Sequence, residues 1–298
     1  MDLSYLKTPQ DSNAITRAYL DNLLVEARYL DSCVPDTSFE LYGKRFSSPI
    51  MIAAFSHLDG SHPGGMAEMA RAAARVNVVN WAGMGDEEEF EKIAETGAST
   101  IKIVKPYKDR ALLRRRLQHA AAHGALAVGI DIDHSFQHNG EHDVVNGLEM
   151  QPLTTEELKK LVDASPLPFV IKGVLSVKDA LKCAEAGVKG IVISHHHGIQ
   201  PCAVPPLMIL PKIKAAAGDR LDLFVDCGIS SGYDAFKALA VGAKAGHLGR
   251  AVLPAFREKG AEGAADYIKE ANDALRGMMA RTGAPDLQSI DPECIWAE

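Results

Sequence analysis

The stretch Gly190-Ile191-Val192-Ile193-Ser194-His195-His196-His197-Gly198-Ile199-Gln200 changes character halfway along. Its opening reads as a buried strand, because Ile191, Val192 and Ile193 are β-branched and uncharged. A hydroxyl and three imidazoles follow, and Gly198 then lets the chain turn. A strand whose C-terminal end spills titratable groups into a turn is how an α/β barrel presents its reacting side chains. Imidazole is also the side chain suited to moving protons near neutral pH. A polar loop after a core strand has the same look in isolation, so the surrounding chain decides.

The same two-beat pattern repeats on both sides of this stretch. Buried strands are expected over residues 50–55, 76–81, 100–104, 125–131, 168–172, 190–193, 221–226 and 245–248. Amphipathic helices are expected over 65–75, 86–95, 109–123, 154–164, 176–187, 206–217 and 233–241, with a long closing helix over 264–281. Strands that alternate with helices imply a parallel sheet. Eight such units imply closure into a (β/α)8 TIM barrel, whereas an open doubly wound sheet has no reason to count eight. The fold class is therefore α/β. Residues 1–47, with helical spacing over 14–31 and a polar stretch over 36–46, read as an N-terminal covering segment. Residues 48–298 read as the barrel, the whole forming one domain.

Composition narrows the partners. The net charge is -7 with no basic block, which argues against nucleic acid or an anionic membrane surface. Cys33, Cys183, Cys202, Cys227 and Cys294 form no C-x-x-C pair and are odd in number, as in a reduced, cytoplasmic protein. The start of the chain has no basic region followed by an apolar run. No apolar stretch approaches the roughly 20 residues that span a bilayer. The expected partner is a small-molecule substrate.

In a barrel, functional groups sit after the strands. Here those positions hold Ala54-Phe55-Ser56-His57, Asn80 to Gly83, Lys105 with Tyr107, Asp131-Ile132-Asp133-His134, Lys172-Gly173, the three histidines, Asp226-Cys227-Gly228 and Gly249-Arg250. The last two groups suit a phosphate, since backbone N–H groups at a helix start face an anion and glycine lets them approach. Arg250 adds charge-assisted hydrogen bonds. His119 and His123, four apart on the third helix, read as a surface pair.

These residues carry a family resemblance. Ser48 to Ala53, Tyr107-Lys108-Asp109-Arg110, Ile171 to Val174, Ser194 to Gln200, Asp226 to Gly232 and Gly249-Arg250 occur in the order seen in FMN-dependent 2-hydroxy acid oxidases and dehydrogenases. The chain resembles that group, glycolate and lactate oxidases included, from about residue 36 to 290. The resemblance implies an FMN enzyme in which Ala53, Ala54, Phe55 and Ser56 lie beside the flavin. Lys172 would stabilise the anionic reduced ring. His196 would take the proton of the substrate hydroxyl, oriented by Asp131. Ser194, Asp226, Gly228, Ser230, Gly249 and Arg250 would contact the ribityl chain and phosphate. A homotetramer is the assembly it implies.

The departures lie on the substrate side. Where the family has Ser-Asn-His-Gly-Gly-Arg-Gln, this chain has Ser194-His195-His196-His197-Gly198-Ile199-Gln200, so the carboxylate-clamping arginine is Ile199. The family's glutamine and tyrosine in strand three fall on Ile103 and Lys105. A second substrate arginine has His138 as its nearest counterpart, and a phosphate-side arginine becomes Ser230. Lys105, His138, His195 and Ile199 are thus the candidate substrate positions; a short 2-hydroxy acid bound in the family manner is not expected, while Lys105 as a replacement positive charge keeps an acid substrate open. Two other readings compete. One is a metal-dependent barrel hydrolase or lyase using His57, Asp131, Asp133, His134 and residues 195–197, although adjacent residues of an extended chain point to opposite sides. The other is an FMN-dependent isomerase without net redox.

Overall fold

The structure, a computed structural model, describes residues 11–297. Eight parallel strands form one sheet: β1 (Ile50–Ile52), β2 (Asn80–Ala82), β3 (Thr100–Val104), β4 (Ala127–Asp131), β5 (Phe169–Val174), β6 (Gly190–Ile193), β7 (Asp222–Val225) and β8 (Ala245–Leu248). Consecutive strands are neighbours from β2 to β8, and β8 pairs with β1. The ring closes between β1 and β2 through hydrogen bonds from Ile52 N to Val79 O at 3.0 Å and from Gly83 N to Phe55 O at 2.7 Å. The TIM barrel expected from the eight-fold alternation is what forms.

The helices on the outside are α1 (Gly65–Val76), α2 (Glu87–Ala94), α3 (Arg110–Ala122), α4 (Thr155–Asp163), α5 (Val177–Glu185), α6 (Pro206–Ala217), α7 (Gly232–Val241) and α8 (Leu253–Arg281). Their starts follow capping chemistry. Asp86, Asp109, Thr154, Ser176 and Ser231 each accept a hydrogen bond from a backbone N–H of the first turn. Such caps are typically worth about 1 kcal/mol each.

Strand alternation builds the interior. Met51, Trp81, Ile101, Ile103, Ala127, Val170, Val192, Phe224 and Ala245 form an apolar cluster of their own, distinct from the one between sheet and helices. Two or four residues further along six of these strands, the same face carries polar groups: Lys105, Asp131, Lys172, Ser194, Asp226 and His247. The period of two that fills the barrel thus also lifts its chemistry to the C-terminal mouth.

Some elements differ from the sequence-based expectation. Helical spacing over 14–31 yields a helix only over Ser12–Asn22. The chain then extends because Leu23–Val25 pairs antiparallel with Ile295–Ala297, a long-range contact that local periodicity cannot show. The polar stretch over 36–46 is a hairpin, Phe39–Leu41 with Lys44–Phe46, whose Phe39, Leu41 and Phe46 plug the barrel interior from below. The second strand starts at Asn80, not 76, because α1 runs on to Val76 and Asn77 caps it in the left-handed region, φ 53°. α8 begins at Leu253 and is interrupted at Lys259 and Gly260, the latter at φ 55° and ψ -135°. Among the described residues, no helix is long and apolar enough to cross a membrane.

Candidate active site

Three carboxylates and two lysines crowd the mouth of the barrel. Asp131, at the end of β4, receives a hydrogen bond from Lys105 Nζ at 2.7 Å and a second from Lys172 Nζ at 3.5 Å. Lys172 also stands 3.8 Å from Asp226. All four groups are buried. Burial alone would raise the Asp131 pKa, but Lys172, His196 and Lys105 hold it well below the usual carboxylate range. Burial likewise opposes the Lys172 charge, and Asp131, Asp133 and Asp226 outweigh it and raise its pKa.

His196 leans into this cluster. Its Nδ1 lies 2.7 Å from Asp133 Oδ1, 3.3 Å from Asp131 Oδ2 and 3.1 Å from Lys172 Nζ. Nδ1 cannot both donate to a carboxylate and accept from an ammonium, and the shorter contact directs its proton to Asp133. Burial works against the imidazolium, yet Asp131 and the two carboxylate hydrogen bonds raise the His196 pKa to about 9. Asp133 moves the opposite way from Asp131: burial and the Asp131 charge raise it to about 6. Lysines sit on Asp131 and not on Asp133, which explains the split.

The other nitrogen of His196 meets a residue to which the family resemblance assigns no role. His134 Nε2 lies 3.4 Å from His196 Nε2, and His134 Nδ1 lies 3.1 Å from Asp143 Oδ2. Burial, with Lys105 and His196 nearby, lowers the His134 pKa to about 4, so the ring is neutral. A signal for these residues was present in the Asp131-Ile132-Asp133-His134 run at a strand end, but Asp143 lies on a loop whose folding only the structure shows. Gly173 makes room for Asp133: its φ is 89°, and a Cβ there would come within 2.4 Å of Asp133 Oδ2.

The three histidines diverge. His196 and His197 take left-handed backbone, φ 44° and 58°, at a cost of about 1 kcal/mol or more each. His195 is buried away from the mouth. Its Nδ1 accepts from Gly198 N at 2.9 Å, so its Nε2–H must donate to Thr16 Oγ1 at 2.8 Å. It fastens the N-terminal helix to the barrel. His197 contacts Asn13 Oδ1 at 2.8 Å and Arg250. The convergence of His57 and all three histidines that a metal reading needs is therefore not formed, and His57 bonds Asn146 instead. Asp131, Asp133, His134 and His196 do bring their ligand atoms together. Two lysine ammonium groups already sit on Asp131 there, and their charge opposes a divalent ion.

Beside His196 opens a cavity of about 450 Å³, lined by Ala53, Ala54, Phe55, Lys172, Asp226 and His247, with Gly228, Ser230, Gly249 and Arg250 at its far end. This volume falls in the range of small-ligand and cofactor sites. Two features suit a planar polar ring with an anionic tail. His247 is buried with neither ring nitrogen partnered, although such groups ordinarily find a hydrogen bond. Burial lowers its pKa to about 4, which leaves a neutral donor and acceptor on the cavity wall. Arg250, reaching Asn13 Oδ1 at 3.3 Å, supplies a cation at the far end. Cys227 is no nucleophile here, because burial and Asp226 push its thiol up to about 12.

Other expected positions land differently. Ser230 lines the cavity, but its N–H and hydroxyl both bond Asp234 Oδ2, at 3.0 and 2.8 Å. Ser194 Oγ accepts from His196 N at 3.0 Å and braces the histidine turn. Ser56 lies past the cavity wall, against Gly83. Lys105 is committed to Asp131. His138 is exposed and Ile199 is 39% exposed. Both line a second, larger cleft together with Ile132, His134, Phe136 and Val144.

The chain is similar to known proteins over most of its length. The model of the family described as FMN-dependent dehydrogenase matches residues 7–155 and 149–297. The chain is 28% identical to the peroxisomal (S)-2-hydroxyacid oxidase GLO3 of Arabidopsis thaliana over 288 residues, covering 86% of this chain and 79% of that one. It is 29% identical to an L-lactate oxidase of Nostoc sp. over 317 residues, covering 92% and 87%. Among solved structures, a mandelate oxidase superposes with a TM-score of 0.87 at 25% identity, covering 97% and 92%. A mandelate oxidase variant with an arginine exchanged for leucine, solved with 2-hydroxy-phenylacetamide, gives a TM-score of 0.86 at 25% identity, covering 99% and 92%.

Proposed function

We infer the reaction from one premise: this chain belongs to the FMN-dependent dehydrogenase family. It is accordingly a flavoprotein oxidoreductase acting on a CH–OH group of a small molecule. When bound, FMN supplies the hydride acceptor. The cavity beside Lys172 suits the cofactor, with Ala53, Ala54 and Phe55 along the ring and Gly228, Gly249 and Arg250 toward the phosphate. His247 offers that ring a hydrogen-bond partner.

The remaining chemistry belongs to this chain's own residues. His196 takes the hydroxyl proton at Nε2, since Nδ1 is held by Asp133 and Asp131. The two carboxylates stabilise the imidazolium that results. Lys172 holds its positive charge on the cavity wall, where it would stabilise the reduced cofactor. The observation that carries this reading is that Lys172 and His196 line the cavity while the buried Asp131 contacts both from behind.

The substrate differs from a short 2-hydroxy acid. Ile199 stands where the family resemblance places an arginine, Lys105 is spent on Asp131, and His134 is neutral. Among the described residues, these three positions offer a substrate carboxylate no replacement for that arginine, and burying a carboxylate unpaired costs several kcal/mol. A hydroxy compound with an uncharged neighbour, such as an amide or ester, fits better. The amide held by the arginine-to-leucine mandelate oxidase variant supports that direction. The test is anaerobic mixing of the yellow holoenzyme with matched 2-hydroxy acids and 2-hydroxy amides. The amides should bleach the flavin faster; faster bleaching by the acids would overturn the substrate assignment. An assembly of several copies and a reducing, cytoplasmic setting complete the proposal. The latter rests on five free cysteines.

A further inference from the structure

His119 and His123 lie one helical turn apart at the end of α3, so their rings share a face. The rings stack, with centroids 4.0 Å apart. The tertiary fold adds a third group that the helix alone does not have. Glu91 of α2 places Oε1 2.9 Å from His119 Nε2 and 3.7 Å from His123 Nε2. The three ligand atoms lie within 4.8 Å of one another.

We propose that Glu91, His119 and His123 form a site for a divalent ion of the zinc class, which staples α2 to α3. Two imidazoles and one carboxylate are a familiar donor set for that ion, and two histidines four apart on a helix are a known chelating pair. Zinc binds nitrogen and oxygen at about 2.0–2.2 Å. Tetrahedral ligands at that radius are about 3.4 Å apart, close to the separations around Glu91 Oε1. The tautomer of His123 is already set: its Nδ1 bonds the carbonyl of His119 at 2.9 Å, which requires Nδ1–H and leaves Nε2 with a lone pair. A second bond of this kind is how metal-binding histidines are oriented. The site has two partly exposed ligands, so water completes the coordination. The site lies on the outer face of the barrel and needs neither flavin nor substrate.

The experiment is calorimetric titration of zinc chloride into the EDTA-treated full-length holoenzyme and into His119→Ala, His123→Ala and Glu91→Gln variants. His196→Ala serves as a control that weakens any binding at the barrel mouth. One zinc per chain should bind to the wild type and to His196→Ala, and the event should vanish in both α3 variants and weaken in Glu91→Gln. Zinc should also raise the melting temperature of the wild type but not of His119→Ala. Superimposable isotherms for wild type and His123→Ala, or no zinc uptake by the wild type, would overturn the assignment. Glu91 and His123 are exposed, so their variants should keep the fold, and the melting temperature without zinc checks that His119→Ala does too.

Discussion

The Nε2 atoms of His134 and His196 stand 3.4 Å apart, their rings edge to face with centroids separated by 4.4 Å. The two rings differ in charge. His196 has its pKa raised to about 9 and His134 has its lowered to about 4. At neutral pH the shared proton therefore sits on His196, which donates to His134, which in turn donates to Asp143 at 3.1 Å. A substrate hydroxyl that approaches His196 has to share or displace His134.

The first prediction concerns pH. A base must be neutral to accept a proton, and His196 is charged below about 9. The kcat/KM for flavin reduction should thus rise with pH and inflect near 9. Asp133→Asn removes one carboxylate bond to Nδ1, so its inflection should move to lower pH. The folding equilibrium gives the same sign. A raised pKa stabilises the fold fully below the ordinary value of 6.5, and that contribution is lost as pH climbs through about 9. The urea midpoint should fall across that window in the wild type, and fall less in His196→Ala.

Replacing His196 with alanine should slow flavin reduction by roughly 100- to 10,000-fold, the usual worth of a positioned general base. FMN should stay bound, because most of the cavity wall is unchanged. Stopped-flow absorbance of the flavin checks both points. Unchanged reduction would remove His196 from the mechanism.

Gly173→Ala tests how Asp133 is held. The new methyl group needs φ near 89° and space that Asp133 Oδ2 occupies. Destabilisation of more than about 1 kcal/mol is expected. The displaced carboxylate should also shift the pH inflection of flavin reduction. Chemical denaturation and the pH profile, measured on the same preparation, separate the two effects.

Arg250→Ala should leave the fold intact and weaken FMN retention. Hydrogen bonds to charged groups are worth about 1.5–3 kcal/mol, or roughly a ten- to hundredfold change in affinity. Fluorescence titration of the apoprotein with FMN measures it. Equal affinity would place the phosphate elsewhere.

Much of the site was legible because strand alternation is a local rule. Asp131, Lys172 and Asp226 lie at or beside the C-terminal ends of their strands on inward positions, so counting by two finds them. Asp143 was not legible. It reaches His134 only because the loop after β4 folds into the short hairpin Val144–Val145 and Leu148–Glu149. His195 was misleading for a similar reason. It adjoins His196 in sequence, yet Thr16 holds it from a helix nearly 180 residues away. Helical spacing past Asn22 failed because a strand pairing with the far end of the chain took those residues.

The amino-acid order alone determined the eight strand–helix units, the barrel and the polar rim after its strands. Those depend on period-two and period-3.6 burial, which is written into neighbouring residues. Tertiary structure decided which rim residues meet, which lysines each aspartate keeps and which of the three histidines line the cavity. Such outcomes depend on charges and backbone angles brought together across the ring, and a linear pattern holds no distance between its strands.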